Sequence, residues 1–469
     1  MRRLITTDNT EGYIIKDRKA LEDLRHIADT NLEDLCDEQG NALWVFPRKD
    51  NRHADKIDDK PIFRLIGNSL STENIMGFIG YGKTQLTIRS RFSNEHGKDW
   101  FMQYMLQKVF SINVFDLQHF SDSVDSLDIN SLLFPYFLQK ALVQGLYREY
   151  TYRKYNDNRI RGAIDIPRHI KENYPFKNGR VAYTNREFTY DNSITQLIRH
   201  TMEHIKSKKK TASIILGSSA ETKENIKQII EATPSYRKGD LRRVLLENLK
   251  PKIHPYYSEY SSLQRLCLQI LRNEKTSYGD SKDKIYGVLF DGAWLWEEYL
   301  SHSLMQLGFQ HPMNKEKEGG WPIYSNRQRV VCYPDFISDK IVADAKYKRY
   351  FKTVKERVQL SIPRDDLYQM ISYLHVTNRS IGVFVCPSDK GEEPWENGEP
   401  LPDSKWNIQY NQYGRLEGLG GEIHVICMNI PISCNTYIQF VERMTMIENN
   451  LCHQLKRVST TSGHSSIET

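Results

Sequence analysis

Between Tyr333 and Lys348 the chain reads YPDFISDKIVADAKYK, and no other stretch restricts the fold as much. Its period is two, which predicts a pair of short strands turning at Ser338, Asp339 and Lys340. Val331, Tyr333, Asp335 and Ile337 alternate along the first strand. Along the second, Val342, Asp344, Lys346 and Lys348 alternate with Ile341, Ala343, Ala345 and Tyr347. Successive strand side chains point to opposite faces, so Asp344 and Lys346 share a face, with Asp335 on the strand beside them. Two carboxylates and an ammonium thus stand where a strand interior is ordinarily apolar. Carboxylates are hard oxygen ligands suited to Mg²⁺, which keeps several waters of its own. A neighbouring lysine can orient an attacking water and offset the charge that grows on a phosphate. The pattern predicts a metal-dependent phosphodiesterase.

Asp-x-Lys by itself also describes a salt-bridged hairpin facing solvent, so the flanking segments decide. Upstream, Asp291 to Phe309 (DGAWLWEEYLSHSLMQLGF) reads as an amphipathic helix carrying Glu297 and Glu298. Downstream, Arg364 to Val376 (RDDLYQMISYLHV) reads as a helix on which Asp365, Gln369 and Tyr373 recur every fourth residue and share one face. Taken together, Pro334-Asp335 followed by Asp344-Ala345-Lys346 resembles the PD-(D/E)XK nuclease motif. That resemblance implies a glutamate on the preceding helix turned toward a metal, here Glu297 or Glu298. It also implies a helical Gln-x-x-x-Tyr companion, here Gln369 and Tyr373.

At 469 residues, a single core is too large to expect, and two or three domains is the better division. The predicted fold class is multidomain α+β or α/β. Residues 1–125 form a β-rich module, 126–275 a mostly helical region, and 280–457 a mixed sheet flanked by helices. Residues 458–469 (VSTTSGHSSIET) form a disordered tail. The seven cysteines are scattered, with no Cys-x-x-Cys, which argues for a reducing compartment and against a zinc site. No secretory leader and no membrane-length apolar run is visible, so a cytoplasmic protein without a membrane partner is expected. A net charge of +6 suits a nucleic-acid partner, although a solvated basic face produces the same sum.

Gly77 to Thr84 reads GFIGYGKT and fits the P-loop pattern letter for letter. A phosphate cradle needs a helix N-terminus directly after it. Gln85 to Phe92 instead alternates as a strand, which predicts two strands joined by a glycine-rich turn. In the middle region, Asp128 to Arg153 is a long apolar and aromatic segment, and Asp191 is the expected N-cap of a helix from Asn192 to Ser207. Arg153, Tyr155, Arg159 and Arg161, and the Lys206–Thr211 charge run, are either DNA contacts or solvated decoration. The two readings stay open.

Arg161-Gly-Ala-Ile-Asp165, Arg186-Glu-Phe-Thr-Tyr-Asp191-Asn192, Trp294-Leu-Trp-Glu297, Pro334-Asp335 and Asp344-Ala-Lys346 resemble, in this order, the McrC family; LlaJI-type restriction subunits are similar. Ile88-Arg-Ser-Arg-Phe92 is similar to that family's N-terminal module. Where the family carries Phe-Glu before the catalytic hairpin, this chain has Trp296-Glu297. The resemblance implies the nuclease subunit of a modification-dependent restriction system acting in anti-phage defence. Such a subunit hydrolyses double-stranded DNA with Mg²⁺, Mn²⁺ being a possible substitute. Asp335, Asp344 and Glu297 would hold the metal, Lys346 would assist the water, and Gln369 and Tyr373 would support the site. It further implies a hexameric, McrB-like AAA+ GTPase partner, docked by the N-terminal part and stimulated by it. A preference for methylated cytosine does not transfer, because the partner usually reads the DNA. The competing expectation is a non-catalytic DNA-binding or motor-activating subunit.

Overall fold

The computed structural model describes residues 2–30, 35, 42–47, 61–93, 98–110, 129–176, 178–207, 212, 215–217, 219–250, 252, 254–272, 285–312, 319–354, 357–389, 395–396, 399–400, 408–417 and 420–461. These form two compact units, one from Met1–Val109 with Tyr278–Thr469 and the other from Phe110–Ser277. The expected segments 1–125 and 280–457 follow chain order, whereas the first unit draws on both.

The join is a five-stranded sheet in the order Arg2–Thr7, Thr84–Arg89, Ile75–Tyr81, Ile285–Asp291 and Ala42–Phe46. Ile75–Tyr81 and Thr84–Arg89 are an antiparallel hairpin with Tyr81 opposite Thr84 and Gly82 at φ +55° in the turn. Lys83 is therefore a turn residue with a strand after it, and the Gly-Lys-Thr run is not a phosphate cradle. Strand Ile285–Asp291 lies antiparallel on Ile75–Tyr81 and parallel to Ala42–Phe46. Its seating needs a side chain to be missing: a Cβ at Gly287 would stand 2.4 Å from the Phe78 carbonyl oxygen. Ile15, Leu24, Phe63, Ile79, Leu86, Ile88 and Leu289 belong to the core beneath.

Helix Trp100–Phe110 is started by Asp99, whose carboxylate accepts the Met102 N–H at 3.1 Å and the Ser90 N–H at 2.5 Å. Burial pushes this carboxyl up to about 7, against the lowering effect of those two N–H groups. The folded state thus holds a proton that the unfolded chain releases near pH 4. Stability from this group is present at low pH and is lost as pH rises through about 7. Asp99→Ser keeps a cap without the charge. Relative to that variant, the wild type is expected to lose on the order of 2 kcal/mol between pH 5.5 and 8.5, read from paired thermal melts.

The first unit's second sheet runs Phe336–Ile337, Ile341–Ala345, Ile381–Ser388, Glu422–Asn429, Ile408–Arg415. The outer pairs are antiparallel and the inner pairs parallel. Ile341–Ala345 and Ile381–Ser388 are buried throughout, as sheets covered on both faces require. Helix Arg364–Thr377 packs on this sheet with Met370 and Leu374, and Gly382 leaves the room: a Cβ there would lie 2.8 Å from the Met370 side chain. Cys386 and Cys427 oppose each other in register and are joined as a disulfide, a pairing that their separation in sequence did not suggest.

Three expectations are corrected in this unit. The first strand of the expected hairpin is broken: Arg327–Cys332 pairs with Trp321–Tyr324 in a separate sheet, and Tyr333–Asp335 lies outside any strand. Pro334 has no N–H to give a ladder, which suits the break. The second strand stops at Ala345, so Lys346 lies just past it. The last helix spans Tyr437–Thr461, taking in the start of the expected tail; residues 462–469 lie outside the described residues.

The second unit packs helices Ile129–Val143, Ser193–Ser207, Ala220–Ala232, Leu241–Glu247 and Glu259–Arg272. It also holds a three-stranded sheet in the order Glu149–Asp157, Val181–Thr189, Ala163–Ile164, so the region is less helical than expected. The apolar segment from Asp128 is helical only to Val143; Gly145 at φ +88° ends it, and Glu149 begins a strand. The helix cap is Asn192 rather than Asp191, because Asn192 Oδ1 accepts the Ile194 and Thr195 N–H groups. Asp191 instead accepts from Gln196, Ser235 and Arg153. Residues 208–211 of the charge run lie outside the described residues. Among the described residues no helix is long and apolar enough to cross a membrane.

Candidate active site

The parallel pairing of Ile341–Ala345 with Ile381–Ser388 continues one residue past the strand, as Lys346 N–H donates to the Val385 carbonyl at 2.9 Å. Asp335, placed before the two-residue strand Phe336–Ile337, reaches across this end and accepts the Ala345 N–H on Oδ2 at 2.7 Å. Asp344, 1% exposed, stands beside it. The Lys346 ammonium lies 2.9 Å from Asp344 Oδ2 and donates to Gln369 Oε1 at 2.7 Å. Gln369 in turn donates to the Tyr373 hydroxyl at 2.9 Å, and Tyr373 donates to the Tyr333 carbonyl at 3.2 Å. One relay of hydrogen bonds therefore fixes the lysine head group through two residues of helix Arg364–Thr377.

The two glutamates before the hairpin have separate surroundings. Glu298 accepts the Trp294 indole N–H at 3.1 Å. Glu297 lies 3.9 Å from His311 Nε2 and acts electrostatically on Asp335. Helix Gly292–Leu304 is held for this by Trp296, fully buried, whose indole donates to the Val385 carbonyl at 3.2 Å. That carbonyl also receives the Lys346 N–H, so helix and strand end are anchored at one point.

Charge is unbalanced here. Asp335 is pushed well above the usual carboxylate range, by burial first and then by Glu297 and Asp344, with the latter also hydrogen-bonded to it. Burial disfavours the Lys346 ammonium, but Asp344, Asp335 and Asp366 outweigh it and hold the lysine charged above its ordinary range. Asp344 Oδ2 is buried and receives no well-aligned hydrogen bond, only the ammonium nearby. A buried oxygen in this state, among more carboxylates than the lysine neutralises, suits a further cation. Among the described residues no three His, Cys, Asp or Glu side chains close a metal cage by themselves. Two carboxylates with water and substrate oxygens completing the shell is how Mg²⁺ is usually held.

The structure thus brings Asp335, Asp344, Lys346, Gln369 and Tyr373 together, with Glu297 beside them. It corrects one helix position: Asp365 is exposed, and Asp366 is the buried acid on the inner face. Asp366 accepts Lys348 at 2.8 Å and the Tyr350 hydroxyl at 2.9 Å, and lies 3.9 Å from Lys346. A spacing of seven from Tyr373 and three from Gln369 would have found it. His311 was also missed. It stacks on Phe336, and its Nδ1 sits 2.6 Å from the Asp335 carbonyl, which can only accept, so Nδ1 carries the proton. A lone histidine in a loop gives no periodic signal.

Residues 70–387, about two-thirds of the chain, match the family model described as McrBC 5-methylcytosine restriction system component. None of the curated proteins matches. Among solved structures, the chain is similar to a half-complex from the tetradecameric assembly of Thermococcus gammatolerans McrB AAA+ hexamers with bound McrC. The identity is 15%, the coverage 97% of this chain and 100% of that one, and the TM-score 0.48. It is also similar to the T. gammatolerans McrBC complex, at 15% identity over 65% of this chain and 87% of that one, with a TM-score of 0.31.

Proposed function

The chain belongs to the McrBC 5-methylcytosine restriction system component family, and on that premise we propose that it is the McrC-like nuclease subunit, hydrolysing phosphodiester bonds of double-stranded DNA at a PD-(D/E)XK-type site. The observation that carries this reading is the Lys346 ammonium held between Asp344 and Gln369, next to Asp335, whose carboxyl is pushed up by burial and by the carboxylates of Glu297 and Asp344. Asp335 and Asp344, with Glu297 through its surroundings, are the residues to hold Mg²⁺ or Mn²⁺; when bound, the ion supplies Lewis acidity toward the phosphate and a more acidic water. Lys346 stays protonated at neutral pH because its carboxylate neighbours hold its proton. It therefore serves as an electrostatic and orienting group rather than as a base, facing the charge that builds on the phosphate. Gln369 and Tyr373 fix where that charge sits.

In this reading the motor is outsourced to a hexameric, McrB-like AAA+ GTPase, and the hairpin at Gly82-Lys83 agrees with a chain that carries no P-loop there. The test is cleavage of plasmid DNA by the full chain with its AAA+ partner, GTP and Mg²⁺. Cutting that stops with a chelator and returns with Mg²⁺ is expected. Cutting that persists in chelator would overturn the metal-dependent reading. Stimulated GTP hydrolysis with no cutting would leave only the motor-activating role.

His311 provides a finer check. It donates to the Asp335 carbonyl and lies 3.9 Å from the Glu297 side chain, a position from which loss typically costs about 10–100-fold in metal affinity or activity. His311→Ala is expected to show such a deficit, partly recovered at high Mg²⁺ in a titration of cleavage rate.

A further inference from the structure

In the second unit, strands Glu149–Asp157 and Val181–Thr189 are antiparallel, with Tyr150 opposite Phe188 and Tyr152 opposite Arg186. Period two sends Tyr150, Tyr152 and Lys154 to one face, and this face is open: Tyr152 is 71% exposed, Tyr150 59% and Phe188 47%. The rings are already organised. Tyr150 and Phe188 lie 4.9 Å apart, the Arg186 guanidinium sits 4.3 Å above Tyr150, and Arg148 lies 4.4 Å from Phe188 and 4.5 Å from Tyr190. Exposed aromatics in such number on one sheet face are costly in water and mark a binding surface.

The charge identifies the occupant. Residues 148–190 hold ten Lys and Arg against five Asp and Glu, a surplus of +5 in a chain whose total is +6. With Lys154 and Arg186 on this face and Arg148 against its rings, a polyanion complements this surface. The bases of a duplex are stacked on one another and show only their edges, whereas unpaired bases offer faces that aromatic rings can take. The first strand also borders a cleft of about 720 Å³, in which Lys252, Arg153 and Arg243 are engaged internally. Lys252 pairs with Glu149 at 2.6 Å, Arg153 with Asp191 at 3.1 Å, and Arg243 with Glu247 at 3.0 Å. Of the residues expected to touch DNA, Arg153 and Tyr155 belong to that inward set, since the Tyr155 hydroxyl donates to Glu187 at 2.8 Å.

We propose that this face binds single-stranded DNA, stacking bases on Tyr150, Tyr152 and Phe188 while Lys154 and Arg186 hold the phosphates. It rests on DNA being the substrate class of this chain and needs no cleavage, so it is tested in chelator, apart from the nuclease reading. Fluorescence anisotropy of the full chain with a labelled oligothymidylate is compared with a duplex of equal length. The wild type is expected to prefer the single strand, and Tyr152→Ala with Phe188→Ala to weaken it about tenfold or more. Tyr152→Phe with Phe188→Tyr, which keeps the rings, should retain binding, and Lys154→Ala with Arg186→Ala should flatten the salt dependence. Equal affinity in the alanine variant, loss in the ring-preserving variant, or a preference for duplex overturns the proposal. So does normal oligonucleotide binding with lost capture of the AAA+ partner, which would make the face a protein interface.

Discussion

Asp344→Asn is expected to cut DNA at least about a thousandfold more slowly than the wild type, equivalent to about 4 kcal/mol of transition-state stabilisation. The size follows from what the carboxylate does in two directions. It is a buried oxygen pair beside Asp335, the position from which a metal would be held, and it is the closest anion to the Lys346 ammonium at 2.9 Å. An amide is the same shape but has neither the charge to hold a divalent cation nor the charge to keep Lys346 in place. Stability should move the other way or not at all. Three carboxylates crowd one ammonium in this corner, and Asp335 is pushed up partly by Asp344 itself. Removing that charge relieves repulsion, the usual trade between a functional site and the stability of the fold around it. A variant that fails to cut yet melts at or above the wild-type temperature would match both halves. A variant that still cuts would remove Asp344 from the chemistry.

Arg91→Leu carries the largest expected structural cost, about 3–5 kcal/mol, because it leaves a buried carboxylate without its partner. Asp8 has a fully buried side chain, and Arg91 pairs with it through Nε at 2.8 Å and through Nη2, which also donates to Asn74. Burial already pushes the Asp8 carboxyl up, even with Arg91 lowering it. The same guanidinium lies 4.9 Å from the Tyr347 ring, and the Arg91 carbonyl accepts from Arg349 at 2.7 Å. Tyr347 follows Lys346 directly, and its hydroxyl meets Ser90 at 2.7 Å. The N-terminal sheet therefore grips the chain on the far side of the candidate catalytic lysine. Urea unfolding should show the loss, and cleavage should fall with it. Arg91→Lys should recover little, since a point ammonium cannot reproduce the forked contact. Removing both charges in Asp8→Leu with Arg91→Leu should be milder than Arg91→Leu alone, because no ion is then left buried.

The candidate site was largely legible because its residues lie in local, periodic segments. Asp344 and Lys346 differ by two along a strand, Gln369 and Tyr373 by four along a helix, and Trp296 stands one residue before Glu297. The differences arise where a period is not a whole number or a partner is remote. Counting in fours chose Asp365, while the 3.6-residue turn buries Asp366. Two-residue alternation carried the first strand through Pro334, which ends it. Ile285–Asp291 is not among the expected strands, because completing a sheet begun at Arg2 is a non-local pairing that no short window reports. The aromatic and basic strand Glu149–Asp157 continues the apolar pattern of the segment before it, and only Gly145 marks the break. Arg153 and Arg161 look alike in sequence; only the structure shows the first tied to Asp191 and the second exposed.

The most direct measurement is single-turnover cleavage of DNA by the full chain with its AAA+ partner, GTP and Mg²⁺, comparing the wild type with Lys346→Ala. The lysine is held by Asp344 and Gln369 for the charge that forms on the phosphate, so cleavage should drop about a hundredfold or more while GTP hydrolysis and complex formation persist. Equal cutting by wild type and variant would contradict the site, and a complex that falls apart on this one substitution would contradict its separation from partner docking.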